Sequence, residues 1–262
     1  MNSDFSDISA ELESWYQRDS VQYLLDSVSS VVEPILVTDF GYNLMQIGPL
    51  RRHPLFEKSR INNRVYCSDS AGGDVCLVAT AEELPLESDS VDALIALHCL
   101  DFSAQPHQAL REMQRVVTPQ GKLIIIGFNP YSLLGAASRV RRLAGSRLWR
   151  EHEPLSAHRL SDWLHLLGCQ IESQHMLYNL PPVGSGRLKR GLTRADQWST
   201  RHALPFGGVY VLHAIKQQAG INRPDAQRLR RQRLIGLAVP KPRAVPSPTP
   251  SRPAARHQDA RV

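Results

Sequence analysis

His98 and Asp101 stand three residues apart, directly after the apolar run Val91-Asp-Ala-Leu-Ile-Ala-Leu97. In open α/β sheets the carboxyl ends of such strands are where substrates sit. A histidine there, charged or neutral near physiological pH, can act as general base toward a hydroxyl or acid substrate. His98 is therefore the candidate catalytic residue, with a hydrogen-bonded structural histidine as the alternative. His158 and His165 could share a helix face, but no third ligand accompanies them, and zinc sites take three or four protein ligands. Cys67, Cys76, Cys99 and Cys169 form no C-x-x-C pair. That argues against a metal site and a disulfide framework and fits a reducing, cytoplasmic compartment. Arg139, Arg141, Arg142, Arg147 and Arg150 make a basic region, with Arg187, Lys189, Arg190 and Arg194 further on. These form either a solvated face or a contact for an acidic substrate or phosphate backbone. No aromatic interleaving supports base stacking.

The elements that must position these residues alternate along the chain. Leu24, Val28, Val31 and Ile35 recur at helical spacing and predict an amphipathic helix. Asn43 to Gly48 reads as a short buried strand ending at glycine, and Val65–Cys67 and Val75–Thr80 as two more. Val91–Leu97 has the near-continuous apolar character of a parallel strand covered on both faces. Ser103 as N-cap and Pro106 in the first turn open a helix whose face is Ala109, Leu110, Met113, Val116 and Val117. Glu112 and Arg115 fall three apart on it, as a surface pair. The turn Thr118-Pro-Gln-Gly121 separates it from a buried strand, Lys122–Gly127. Asn129 organises the turn into a helix over Tyr131–Arg142. Ser156–Leu167 is a further helix with Gly168 at its C′ position. Gln170–Leu177 and Gly208–Ile215 supply two late strands. Alternation of this kind predicts an α/β fold with a doubly wound, mostly parallel sheet.

Charge is unevenly spread. Of the net +6, residues 221–262 carry +8, leaving −2 on residues 1–220. The tail, rich in Pro, Ser, Ala and Arg without apolar periodicity, cannot bury enough surface to offset the entropy of ordering. It is expected to be disordered, as a solvated tail or a weak contact for nucleic acid or another acidic partner. Residues 1–220 are expected to form the folded domain, with a helical cap over about 1–36. The acidic, polar N-terminus has no secretory-signal pattern and no apolar run is long enough to span a bilayer, so no membrane partner is expected.

The stretch AEELPLESDSVDALIALHCLDFSAQPHQALREMQRVVTPQGKLIIIGFNP, residues 81–130, resembles the second half of class I S-adenosylmethionine-dependent methyltransferases of the type 11 kind. The matching features are "A-E-x-L-P" at Ala81–Pro85, Ser90-Val91-Asp92 opening the fourth strand, and "L-R-E-x-x-R-V" from Leu110. Pro106–Glu112 and Gly127–Gly135, "P-H-x-x-L-R-E" and "G-F-N-P-x-S-x-x-G", are similar to an uncharacterised proteobacterial group of methyltransferase-like proteins. The resemblance runs from about Trp15 to Lys216. It implies a Rossmann-like class I methyltransferase fold, its last strand antiparallel. It also implies an S-adenosylmethionine cofactor lined by Gly48, Asp69, Thr80, Glu82 and Leu84, with His98 nearest the methyl acceptor. Asp69 would accept the ribose hydroxyls, and Thr80 stands where the family places an adenine-side Asp.

The family's glycine loop, E/D-x-G-x-G-x-G, departs here to Gln46-Ile-Gly-Pro-Leu-Arg-Arg. Only Gly48 remains, Gln46 replaces the acid, and Pro49 removes a backbone donor. Two functions follow as expectations: a methyltransferase of unidentified acceptor, or a degenerate methyltransferase-fold binding or regulatory protein that has lost efficient catalysis and contacts RNA or another acidic partner through its tail.

Overall fold

The apolar runs form strands β1 (Asn43–Ile47), β2 (Asn63–Ser68), β3 (Leu77–Val78), β4 (Val91–Leu97), β5 (Val117–Phe128), β6 (Cys169–Leu177) and β7 (Val209–Lys216). They build one sheet in the order β3-β2-β1-β4-β5-β7-β6. The structure is a computed structural model that describes residues 2–17, 19–146, 148–149, 153–178 and 207–217. The five strands from β3 to β5 are parallel, while β7 runs antiparallel to both its neighbours. The helices are α1 (Asn2–Tyr16), α2 (Asp19–Val37), α3 (Pro106–Val116), α4 (Leu133–Leu143) and α5 (Ala157–Leu166). The chain divides into two units, Met1–Ile221 and Asn222–Val262. The second, and with it the expectation of a disordered tail, lies outside the described residues, as do Arg147, Arg150, Arg187, Lys189, Arg190 and Arg194.

The central strands are covered on both faces, which explains their uninterrupted apolar character. On one face α1 and α2 bury Leu12, Trp15, Leu24, Val28 and Val32 against Ile95, Ile124, Ile126 and Phe128. On the other, α3 and α5 bury Leu110, Met113, Leu160 and Leu164 against Leu94, Leu123, Ile125 and Leu212. Each such side chain taken fully from water is worth about 1.5–3 kcal/mol. In α2 the buried stripe is Leu24, Val28, Val32 and Leu36, so Val31 and Ile35 sit half-buried on its flank.

Two local expectations change. The Thr118–Gly121 turn does not precede β5 but lies within it. The β4–β5 register jumps there, Val91 pairing Val117 and Ala93 pairing Lys122, with Gln120 in the left-handed region at φ 68°. Ser103 does not cap α3. The N-cap is Gln105, without a side-chain cap bond, and the Ser103 hydroxyl bonds Glu82 instead.

Asp92, at the base of β4, ties the start of β1 in place. Its Oδ2 accepts the amides of Tyr42 and Asn43 at 2.7 and 3.0 Å, charge-assisted bonds stronger than neutral ones. Gly41 is glycine because a Cβ there would stand 2.5 Å from the Asp92 side chain.

Candidate functional site

The carboxyl ends of β1 to β4 border an open cleft lined by Ile47, Gly48, Asp69, Thr80, Glu82 and Cys99 among others. Four residues expected from the sequence meet here, brought by three turns of the chain. Gly48 ends β1, Asp69 follows β2, and Thr80 and Glu82 follow β3.

Asp69 is half-buried beside the Ser68 hydroxyl, which donates to its Oδ1 at 3.3 Å. Burial raises its carboxyl pKa above the ordinary value, with a smaller contribution from the nearby Glu82 charge. Thr80 is exposed in the cleft wall, its backbone closing a tight turn with Glu83. Glu82 is fixed by the Ser103 hydroxyl from the segment after β4. Cys99 also lines the cleft; burial pushes its thiol well above the ordinary value, so it presents a neutral wall.

Leu84 is placed differently from the expectation. It is buried in the core beneath α3 and does not line the cleft. Its backbone is held at both ends. The Glu112 carboxylate accepts from the Leu84 amide at 3.3 Å, and Arg115 donates to the Leu84 carbonyl at 3.1 Å and the Leu86 carbonyl at 2.9 Å. Glu112 and Arg115 also pair with each other at 2.8 Å. The two are therefore more than a surface pair, because they fasten the loop that carries Thr80 and Glu82 onto α3. The Arg115 guanidinium holds the Glu112 carboxyl below the usual carboxylate range.

The connection from β1 to β2 carries no helix. An irregular crossover spans residues 48–62, with Leu50, Leu55 and Ile61 buried in the α1–α2 core. Gln46 explains how it is held. Fully buried, its amide donates to the His53 carbonyl at 3.2 Å and accepts from the Leu55 amide at 2.8 Å. A side chain that both donates and accepts suits this place, and a carboxylate does not. Gly48 is confined as well, since a Cβ would lie 2.1 Å from the Leu97 carbonyl oxygen. The missing side chain thus lets β1 and β4 end side by side.

His98 is fully buried, and it is not among the residues lining the cleft. Its backbone turns left-handed at φ 53°. The ring stacks on Phe128 with centroids 4.0 Å apart. Nε2 bonds the Tyr16 hydroxyl from α1, and Nδ1 bonds Asp101 Oδ2 at 3.0 Å. The same carboxylate oxygen accepts the Phe128 amide at 3.0 Å. Both ring nitrogens are thus engaged, and the group expected nearest an acceptor is a strut between α1 and the ends of β4 and β5. Burial raises the Tyr16 hydroxyl well above its ordinary pKa, and the Asp101 charge adds to this. Tyr16 and Glu13, whose carboxylate holds Arg51 at 3.3 Å, were not singled out from sequence. Nothing local marks a polar residue in α1 as the partner of one 82 positions away.

Asn129 serves its turn as expected, accepting from the Tyr131 amide and donating to the Gly207 carbonyl. His158 lies 3.9 Å from Asp162 on the exposed side of α5. Among the described residues no group of three His, Cys, Asp or Glu could hold a metal, and no helix is long and apolar enough to cross a membrane.

The sheet order, the antiparallel β7 and a cleft over the carboxyl ends of β1 to β4 define the class: this is the fold of the class I methyltransferases. Residues 58–125 match the family model described as a methyltransferase domain, Methyltransf_11. The chain is 30% identical over 150 residues to the uncharacterised protein YafS of Escherichia coli (strain K12), covering 57% of this chain and 62% of that protein. A SAM-dependent methyltransferase from Thermotoga maritima superposes with a TM-score of 0.54 at 20% identity, over 83% of this chain and all of that one. A chain of the complex containing the Haloferax volcanii Trm112 methyltransferase activator gives 0.57 at 15% identity, over 82% and 98%.

Proposed function

We propose that this protein transfers a methyl group from S-adenosylmethionine to an acceptor still to be identified, and that the cleft over β1 to β4 holds the cofactor. The observation that carries this reading is the convergence of Gly48, Asp69, Thr80 and Glu82, from three turns of the chain, on one cleft. The residues present suit the adenosine half of such a ligand best. Asp69 offers carboxylate oxygens to paired hydroxyls, Thr80 offers a hydroxyl acceptor, and Ala79, Ala81 and Phe102 give apolar walls. The methionine half is less well provided for. Pro49 has no amide to donate, and without a helix after β1 there is no helix N-terminus to receive the ligand.

The bound cofactor supplies an electrophilic methyl group; the chain supplies position, which in such transfers contributes much of the acceleration. Glu112 and Arg115 hold the loop bearing Thr80 and Glu82. Ser103 sets the Glu82 carboxylate. His98, with both nitrogens engaged, acts as a positioning residue that docks α1 over the strand ends. Leu84 shapes the cleft only through the loop it anchors.

Calorimetric titration of S-adenosylmethionine and its demethylated product tests the reading. Since each charge-assisted bond is worth about 1.5–3 kcal/mol and 1.4 kcal/mol is tenfold, affinity on the order of ten- to a hundredfold below that of an intact pocket is expected. Asp69→Ala should weaken binding about tenfold further. Binding should also fall on the acid side, beginning above the ordinary carboxylate range, because Asp69 accepts best when ionised and its pKa is raised. Binding unaffected by Asp69→Ala removes it from the site. A well-folded sample that binds neither compound retires the enzyme in favour of a binding module.

A further inference from the structure

The arginine-rich region takes no part in the cleft, and its geometry is unusual for a surface helix. In α4 the residues turned into the protein are small and polar, Gly135 and Ser138, after the buried N-cap Ser132. Leu134 packs partly against the core, and the other large apolar residues face outward. Leu133 is 60% exposed, Val140 65% and Leu143 89%, with Tyr131 72% exposed just before the helix. Leu133, Ala136, Val140 and Leu143 are spaced three, four and three, and so form one stripe along the helix. At 3.6 residues per turn, Arg139 falls on one side of that stripe and Arg141 on the other. The Arg141 guanidinium is carried over the Trp149 ring at 5.9 Å. From Pro130 to Arg150 the sequence contains no acidic residue. An outward apolar arc bordered by arginines on both sides, and by no acid, is the pattern of a helix that lies in an anionic lipid interface.

We propose that the outer face of α4 docks on an anionic membrane surface, with Leu133, Val140 and Leu143 entering the headgroup boundary and Arg139 and Arg141 on lipid phosphates. Charge selects this occupant over the others. The stretches of chain outside the described residues are basic themselves: residues 179–206 hold Arg187, Lys189, Arg190, Arg194 and Arg201 against Asp196 alone, and residues 221–262 carry +8. Neither complements a basic helix, and a second copy would set arginines against arginines. Such a surface contact needs no spanning segment, and among the described residues no helix is long and apolar enough to be one.

The test is co-sedimentation of the full chain with vesicles of phosphatidylcholine alone and of phosphatidylcholine with phosphatidylglycerol. Binding is expected to the anionic vesicles and to be weak on the neutral ones. Leu133→Ser, Val140→Ser and Leu143→Ser combined keep every charge and should lower that binding about tenfold or more. The melting temperature should hold, because all three side chains are already exposed. Arg139→Gln with Arg141→Gln in the full chain should lower binding to the anionic vesicles and make it less sensitive to salt. The proposal is overturned if the triple serine variant binds like the parent, which would assign the contact to the tail. It is equally overturned if the full chain ignores anionic vesicles at low salt, which would leave the stripe to an acidic protein partner.

Discussion

Two side chains show how the fold assigns a residue its work. Glu112 receives the Leu84 amide and is paired with Arg115, which in turn holds the Leu84 and Leu86 carbonyls. Glu112→Ala should destabilise the protein by about 1–3 kcal/mol at neutral pH, the range for losing charged hydrogen bonds. The folded-state pKa of Glu112 is depressed, so its contribution is present above the unfolded carboxylate value and lost as pH falls through the folded one. Melting curves of parent and variant should therefore converge in acid. His213 also loses stability as pH falls, but because its charged form is disfavoured in the fold rather than because a favourable charge is removed. Buried in β7 with an unpaired Nε2, it is driven down to about 4 by desolvation, then by Lys122 and His175. Its unfolded state binds the proton first, so stability is full above about pH 6.5 and falls as pH drops toward 4. His213→Leu should remove on the order of 2–3 kcal/mol of that acid loss, seen as a flatter melting temperature between those pH values. An equally steep decline in the variant would show that other groups carry it.

At the scale of the element, the crossover from β1 to β2 is the feature that sets this chain apart. A parallel crossover is ordinarily a helix. Here an irregular path is held by Gln46 bonding the His53 carbonyl and the Leu55 amide, while Leu50, Leu55 and Ile61 supply the buried surface. Gln46→Glu restores the acid of the family pattern but sets a carboxylate against the His53 carbonyl. It should cost about 2–4 kcal/mol at neutral pH. The loss should shrink in acid, where a protonated carboxyl can donate to that carbonyl. A variant as stable as the parent that also binds cofactor more tightly would place position 46 in the site rather than in the crossover. Helix α1 follows the same logic. Tyr16, His98 and Asp101 join it to the strand ends through buried hydrogen bonds, so its position depends on residues that follow β4 as well as on its own sequence.

For the whole molecule, the uneven charge gives a direct test. Residues 221–262 have no apolar face to bury, so truncation after Gly220 should leave the melting temperature within a few degrees of the full chain. A larger fall would mean the tail packs on the domain; loss of nucleic-acid retention without loss of stability would give it a partner. The sheet itself was legible in the chain. Val91–Leu97 and Lys122–Gly127 are apolar on both faces, as strands covered by helices on each side of the sheet must be. The cleft was legible too, but through resemblance: "A-E-x-L-P" located Thr80 and Glu82, whereas nothing in SDSAGGD distinguishes Asp69 from a turn aspartate. The sequence by itself determined which segments are strands and helices and where the charge lies, because period, composition and turn chemistry are local properties. The tertiary structure alone decided that His98 is a buried strut, that Leu84 belongs to the core, that Gln46 holds a crossover and that α4 turns its apolar stripe outward. Each depends on which distant backbone donors and acceptors arrive within about 3 Å, and that is set by how the elements pack, not by the residue's neighbours in the chain.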